Sequence, residues 1–240
     1  MPRLPSAITT IHTDHAWWSK SLIGGAIWAT LVGWPIAEGF QLESIDNTQR
    51  GFPTPLPRWN LIGDKAVLGI FAMVIDFFYF LFPVLCGGIV FFCGTLAFGL
   101  GGNLMAARIV AWSTLGPLCL YLIVVWLAGV SAVAKQRYVE GGDLAEVLSG
   151  ALVRQLLQAP ARTKYLRARI NSLPAYVVAA LTLIGGFVLI GETPLGALAV
   201  IWLGLSTLFY ARLITIQLYA EAGREVERER FELLRRRAET

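Results

Sequence analysis

Charge is what this chain has least of. Only 15% of its 240 residues are Asp, Glu, Lys or Arg, against about 25% in a soluble globular domain. Histidine is scarcer still: His12 and His15 stand in a polar N-terminal stretch and none follows. Histidine-held haem or chlorophyll inside the apolar segments is therefore excluded for this chain alone, while ligation through water or an amide stays open. Cys86, Cys93 and Cys119 all lie in apolar runs. They make no disulfide framework and read as free, core-type thiols. There is no His-Glu-x-x-His, no Gly-x-x-x-x-Gly-Lys and no Gly-x-Ser-x-Gly, so the usual zinc, phosphate-loop and serine-hydrolase chemistries are missing. The apolar runs also lack a Ser–His pair or a carboxylate pair for intramembrane hydrolysis. No enzyme is expected.

What is present is apolar sequence in long blocks. Hydrophobic residues make up 56% of the chain and the mean hydropathy is +0.62. Blocks of about 20 residues match a helix crossing some 30 Å of hydrocarbon. In lipid every backbone N–H must be satisfied within its own segment, so helices are expected. The fold class is all-α: a polytopic transmembrane bundle of about five spans, with two interfacial amphipathic helices and a charged C-terminal helix. A polar segment, 1–19, precedes a helical domain, 20–220, and a charged tail, 221–240. Met1–Ser19 carries Pro2, Pro5, His12, Asp14 and His15 ahead of any apolar run, so it does not read as a cleavable signal.

The first span is expected at about Ser21–Ala37. Gly25, Ala29, Gly33 and Ala37 recur every four residues, a spacing that lets another helix approach closely. A polar connector, Glu38–Asp64, should follow, extended around Pro53, Pro55 and Pro57 because proline keeps its predecessor out of helix. From Lys65 the apolar run continues to Leu100. It reads as a tilted or interfacial helix near Asp64–Ile75, then a span kinked at Pro83. A tight hairpin at Pro83 would strand backbone groups in lipid. The third span is expected at about Ile109–Ala134. A second polar segment, Lys135–Arg169, contains an amphipathic stretch, Asp143–Gln158, with Asp143 and Glu146 spaced like a capping box. The fourth and fifth spans, about Pro174–Ile190 and Leu195–Tyr219, are joined so tightly that they must be antiparallel. From Glu221 onward six Glu alternate with six Arg in a solvated helix.

Arg58-Trp59 and Gly63-Asp64 recur as Arg137-Tyr138 and Gly142-Asp143, 79 residues later, and Ala66 and Ala145 keep that offset. The match suggests two parallel units, 20–100 and 109–192. Residues 1–134 hold six basic and six acidic side chains, and residues 170–240 hold seven of each. The whole +4 lies in 135–169, so the positive-inside rule turns that segment toward the cytoplasm. With five spans, 38–64 and the C-terminal tail are cytoplasmic and the N-terminus is outside, in the cell inner (cytoplasmic) membrane.

The stretch Gly39-Phe40, Asn47, Arg50-Gly51, Pro55-Leu56-Pro57, Trp59, Gly63-Asp64 and Gly69 resembles the opening pattern of an uncharacterised prokaryotic membrane family, domain of unknown function 4013. Phe209-Tyr210 with Leu213 is similar to that family's aromatic-rich final span. The resemblance covers about residues 20–225. It implies a polytopic architecture and no established activity.

Asp76 is the one carboxylate in the Met73–Pro83 run. An intramembrane carboxylate is a functional candidate by default, as a proton or cation site or a partner for Arg; a shallow position near the cytoplasmic interface, where the carboxylate stays wet, is favoured. Arg212 in the last span reads as snorkelling to headgroups, with a pair to Asp76 as the sharper alternative. His12, Asp14 and His15 read as solvated rather than as metal ligands, so neither metal nor cofactor is expected. Arg162, Lys164, Arg167 and Arg169 suit an anionic leaflet or an acidic partner surface, not nucleic acid. The favoured function is a non-catalytic accessory or scaffold subunit of a larger membrane complex, of an energy-converting or pigment-binding kind. The alternatives are a transporter or channel component using Asp76, and a lipid-binding or membrane-shaping protein. Expected partners are anionic lipids and other membrane subunits.

Overall fold

The computed structural model describes residues 3–30, 32–141, 143–190 and 192–238. All regular structure among them is helical. The elements are α1 Leu4–His12, α2 Trp17–Trp28, α3 Gly33–Gln49, α4 Ile62–Asp76, a π-helical turn Phe77–Leu81, α5 Phe82–Leu100, α6 Leu104–Ala128, α7 Val130–Val139, α8 Leu144–Val147, α9 Gly150–Leu157, α10 Ala161–Ile190 and α11 Pro194–Ala238. Among the described residues, four helices are long and apolar enough to cross a membrane: Ile62–Leu100, Leu104–Ala128, Ala161–Ile190 and Pro194–Glu232.

The span expected at Ser21–Ala37 is not among them. The helix breaks after Trp28, with Ala29, Thr30 and Val32 outside regular helix, and the chain restarts as α3. Thr30 accepts from the Gly33 N–H at 3.0 Å and donates to the Ile27 carbonyl at 2.8 Å. A Cβ on Gly33 would lie 1.9 Å from that same carbonyl oxygen, so the turn requires glycine. The four small residues therefore do not form one stripe. Gly25 abuts the Ser206 backbone and Ala37 is buried on α3, while Ala29 is exposed at the turn. The supposed connector is also largely helix. Glu38–Leu42, Ser44, Ile45 and Thr48 are buried on α3, which packs antiparallel on α4. The backbones almost touch: a Cβ on Gly39 would meet the Lys65 carbonyl oxygen at 1.8 Å, and one on Gly69 the Pro35 oxygen at 1.6 Å.

The Lys65–Leu100 run is one interrupted helix, as its length demanded. Pro83 sits in the first turn of α5 and has no N–H to offer one turn back. The helix widens there into the π turn rather than folding into a hairpin. α5 and α6 form one antiparallel hairpin, α10 and α11 the other. The end of α6 meets the start of α10 where Arg169 Nε donates to the Trp126 carbonyl at 3.1 Å. Both hairpins therefore aim their tight turns the same way. At Gly129 the chain takes a left-handed conformation, φ +65°, and leaves α6 for α7. A Cβ there would strike the Tyr219 hydroxyl.

The amphipathic stretch 143–158 is two short helices, because Ser149 is extended between them. Asp143 caps α8 alone: its Oδ1 accepts from the Ala145 N–H at 3.4 Å. The apolar face, Val147, Leu152 and Leu156, is buried in the protein core rather than offered to a leaflet. Among the described residues, the two copies of the 79-residue motif stand in different local structure. Arg58-Trp59 lies in a loop before a long helix, Arg137-Tyr138 ends α7, and Gly142 is outside the described residues. The three cysteines are free, but they lie exposed on α5 and α6 instead of in a core.

Candidate functional site

Four charged side chains from four helices meet inside the bundle. Glu38 on α3 and Lys135 on α7 are buried at 4% and 7% exposure. Arg212 on α11 holds Glu38 through two contacts, at 2.5 and 3.0 Å. Lys135 Nζ lies 2.9 Å from Glu38 and 2.6 Å from Asp76 at the end of α4. Ser131 Oγ donates to the other Asp76 oxygen, and the Arg212 guanidinium lies over the Trp28 ring, 5.0 Å from its centroid. Two acids and two bases cancel formally. Removing such charges from water costs several kcal/mol per ion, and this arrangement recovers it by giving each ion an opposite charge and a second polar or aromatic neighbour.

The readings of Asp76 and Arg212 change accordingly. Asp76 keeps 34% of its side chain exposed and is a member of the cluster rather than an isolated carboxylate. Arg212 does not snorkel to headgroups; it pairs with Glu38, and Lys135 links that pair to Asp76.

Beside the cluster lies a cavity of about 450 Å³, bounded by α3, α6, α7, α10 and α11. Its wall carries Asp76, Lys135, Arg169 and Arg212; with Glu38 paired to Lys135 and Arg212, Arg169 leaves an excess of one positive charge. Arg169 is 8% exposed, and among the described residues no carboxylate forms an ion pair with it. Its guanidinium is held by the Trp126 carbonyl and by the faces of Trp126 and Tyr219, at 4.6 and 5.4 Å from the ring centroids. The same wall presents Gln41 Nε2 and Gln136 Oε1, both buried and without a hydrogen-bond partner, and the Tyr219 hydroxyl, which stands beside the Arg169 guanidinium. Buried polar atoms normally find partners. Two open ones around one cavity are what a polar ligand would satisfy.

An apolar groove of about 610 Å³ adjoins this cavity and shares Trp28, Asp76, Phe80 and Arg212 with it. Its other residues come from α3, α4 and the π turn.

The basic cluster expected at 162–169 is dispersed along the first turns of α10. Lys164 is bonded to Glu225 and Glu229 on α11, at 3.1 and 2.6 Å. Arg169 faces the cavity, and Arg162 and Arg167 are exposed. No single cationic face results. His12 stacks on Trp17 at 4.3 Å and its Nε2 lies 2.9 Å from the Tyr210 hydroxyl. Asp14 binds Lys20 at 2.5 Å and accepts from the Ala16 N–H. The Tyr210 contact fastens the N-terminal segment to α11, and Thr13 Oγ1, donating to the Pro53 carbonyl at 3.2 Å, fastens it to the loop after α3.

The connector motif is architectural. Trp59 stacks on Phe40, centroids 4.1 Å apart, and both rings lie against Phe209. Lys20 donates to the Leu56 carbonyl at 2.9 Å, Trp59 Nε1 to the Lys20 carbonyl at 3.2 Å, and Asn47 to the Pro55 carbonyl at 3.3 Å. Pro55, Leu56 and Pro57 are buried. Arg50 pairs with Asp46, Gly51 takes φ +73°, and Gly63 and Asp64 open α4 at the surface.

The family model described as protein of unknown function (DUF4013) matches residues 22–190. The chain belongs to that family. The matched region includes α3, α4 and α7, and with them Glu38, Asp76, Lys135 and Arg169; Arg212 lies beyond it. Comparison with curated proteins and with solved structures finds no match.

Sequence reasoning missed Glu38, Gln41, Lys135 and Gln136, all of which it had assigned to connectors. Pro35 was the available signal. A proline inside an apolar pattern marks a helix start as readily as a kink, and restarting the helix there draws Glu38 and Gln41 into the bundle.

Proposed function

We propose that this DUF4013 protein is a non-catalytic membrane protein that binds a small ligand in the cavity beside Arg169, as a binding or transport component. The observation carrying this reading is a buried guanidinium with no carboxylate partner among the described residues, set beside two unpartnered amide atoms on one cavity wall. Ionisable groups inside a membrane bundle are costly and mark function by default. The cavity volume falls within the range of about 300–1,000 Å³ usual for ligand pockets. Broken helices beside the charges, α2–α3 and the π turn, are features that transporters place at their binding sites. Asp76, half-exposed toward the same space, is the proton or cation site of the transport version.

The accessory-subunit reading is supported by α5, which buries none of its residues within this chain. Its other premise, a scarcity of buried polar groups, fails at the four-charge cluster. On the proposed topology the 135–169 segment, its net charge positive, and the C-terminal tail face the cytoplasm.

Purification in mild detergent followed by native mass spectrometry tests the two readings. A retained non-protein mass, lost in Gln41→Leu or Arg169→Gln, supports ligand binding. A stoichiometric membrane-protein partner with no small-molecule adduct supports the subunit reading and counts against the cavity as a binding site.

A further inference from the structure

The cavity and the groove together form a site with two solvents. The cavity is polar, with an excess of positive charge and open hydrogen-bonding atoms. The groove is lined by Trp34, Ile70, Met73, Val74, Phe77 and Leu81. Trp34, Ile70, Phe77 and Leu81 are about half exposed and Val74 is 37% exposed. They lie on and beside the Ile62–Leu100 span, so the groove opens sideways, where a membrane helix meets hydrocarbon. The widened turn at Phe77–Leu81 places Phe77 and Leu81 in the groove and Phe80 on the wall shared with the cavity. Tyr79 of the same turn is anchored by donating to the Val147 carbonyl at 2.7 Å.

We propose that the ligand is an anionic amphiphile: a carboxylate or phosphate headgroup beside Arg169 in the cavity, and a hydrocarbon chain leaving past Trp28 and Phe80 into the groove. This rests on the ligand-binding reading and adds the chemistry of the ligand. Arg169 supplies the charge, and a guanidinium forks onto carboxylate or phosphate oxygens. It spends one of its five N–H donors on the Trp126 carbonyl. The Tyr219 hydroxyl and Gln41 Nε2 are the neutral donors on the same wall. Glu38 and Asp76 cannot repel the headgroup at full strength, because Lys135 and Arg212 hold them. A purely polar solute would leave the groove unused, and a neutral lipid would leave Arg169 without a counter-charge.

The test uses the full chain in phosphatidylcholine nanodiscs, with brominated probes that quench Trp28 and Trp34 on contact. The probes are dibromostearate, a dibromo-acyl phosphatidic acid and dibromostearyl alcohol; inorganic phosphate is titrated separately by calorimetry. Saturable quenching is expected from the two anionic probes, about tenfold or more stronger than from the alcohol, the scale of one charge-assisted bond. Preference between the two anionic probes names the source, free fatty acid or phospholipid. Arg169→Gln should weaken both by about tenfold and leave the alcohol unchanged, and Arg169→Lys should recover part of the loss. Val74→Phe, which fills the groove without touching the charges, should weaken the anionic probes while the melting temperature holds. Equal quenching by the alcohol, or no effect of Arg169→Gln in a folded variant, overturns the proposal. Phosphate binding that Val74→Phe does not change, without quenching by any amphiphile, overturns the amphiphile and leaves the cavity reading standing. If no probe binds, both fall.

Discussion

Arg212 grips Glu38 through both terminal nitrogens, Nη1 to Oε1 at 2.5 Å and Nη2 to Oε2 at 3.0 Å, across 174 residues of sequence. Lys135 uses the same carboxylate and passes the connection on to Asp76. The pair thus joins α3 to α11, with α4 and α7 linked to it through Asp76 and Lys135.

Because Glu38 is 4% exposed, neutralising it leaves Lys135 and Arg212 sharing one half-exposed acid. Glu38→Gln should destabilise the protein by about 3–5 kcal/mol, the usual cost of stranding a buried charge. The double variant Glu38→Gln/Arg212→Gln should cost less than the two single changes added together. Denaturant titration in detergent reads both. A single variant within about 0.5 kcal/mol of the parent would show that the cluster carries no such tension.

The contact between α3 and α4 depends on two missing side chains. Gly39→Ala and Gly69→Ala each place a methyl group inside 2 Å of a carbonyl oxygen. The helices must separate, at or beyond the upper end of the roughly 1–3 kcal/mol typical of overpacking. Gly63→Ala is the internal control. Nothing lies within 4 Å of its added carbon, so the change should be neutral or stabilise α4 by up to about 1 kcal/mol. Thermal melts of the three variants suffice; similar melting temperatures for all three would rule out the close approach.

Much of this architecture was readable from periodicity and charge. Length and hydropathy identified the long helices, and Pro83 marked the irregularity inside Ile62–Leu100. Asp76 and Arg212 stood out because ions are rare in apolar runs. What composition hid was depth. Glu38 and Lys135 stood just outside the assumed span ends and were assigned to water, yet both are buried. A hydropathy window treats the end of an apolar run as the membrane surface. Here α3 and α7 carry polar residues into the bundle, where neighbouring helices rather than lipid surround them. Arg169 was visible only as one of four clustered bases, since nothing local distinguishes a cation facing a cavity from one facing headgroups.

Glu140 provides a pH signature outside the spans. Desolvation raises its pKa above the ordinary carboxylate value and Glu227 adds to the shift, opposed by hydrogen bonds from Gln136 and Gln49. A carboxyl whose folded pKa is raised contributes stability fully below its unfolded pKa, and that contribution is lost as pH rises through the folded value. Glu140→Gln keeps an acceptor for Gln49 and removes the ionised form. It should melt higher than the parent at pH 8, with the difference shrinking as the buffer is taken toward pH 4. A constant difference across that range would mean that Glu140 ionisation is not coupled to folding.

Topology separates four spans from five. If the four long helices each cross once and the α2–α3 pair does not, the N-terminal segment lies on the same side as 143–158 and the tail. Five crossings put it on the opposite side. With Cys86, Cys93 and Cys119 replaced by serine, single cysteines at the exposed positions His15, Asn103, Gln158, Thr193 and Glu232 report the arrangement. An impermeant maleimide on intact cells should modify Asn103→Cys and Thr193→Cys, at the two hairpin turns. His15→Cys, Gln158→Cys and Glu232→Cys should react only after permeabilisation if, as proposed, the basic 135–169 segment faces the cytoplasm. External labelling of His15→Cys alone would restore a fifth crossing through α2 and α3. It would also require the break after Trp28 to lie within the membrane, next to Trp28 and the charges it covers.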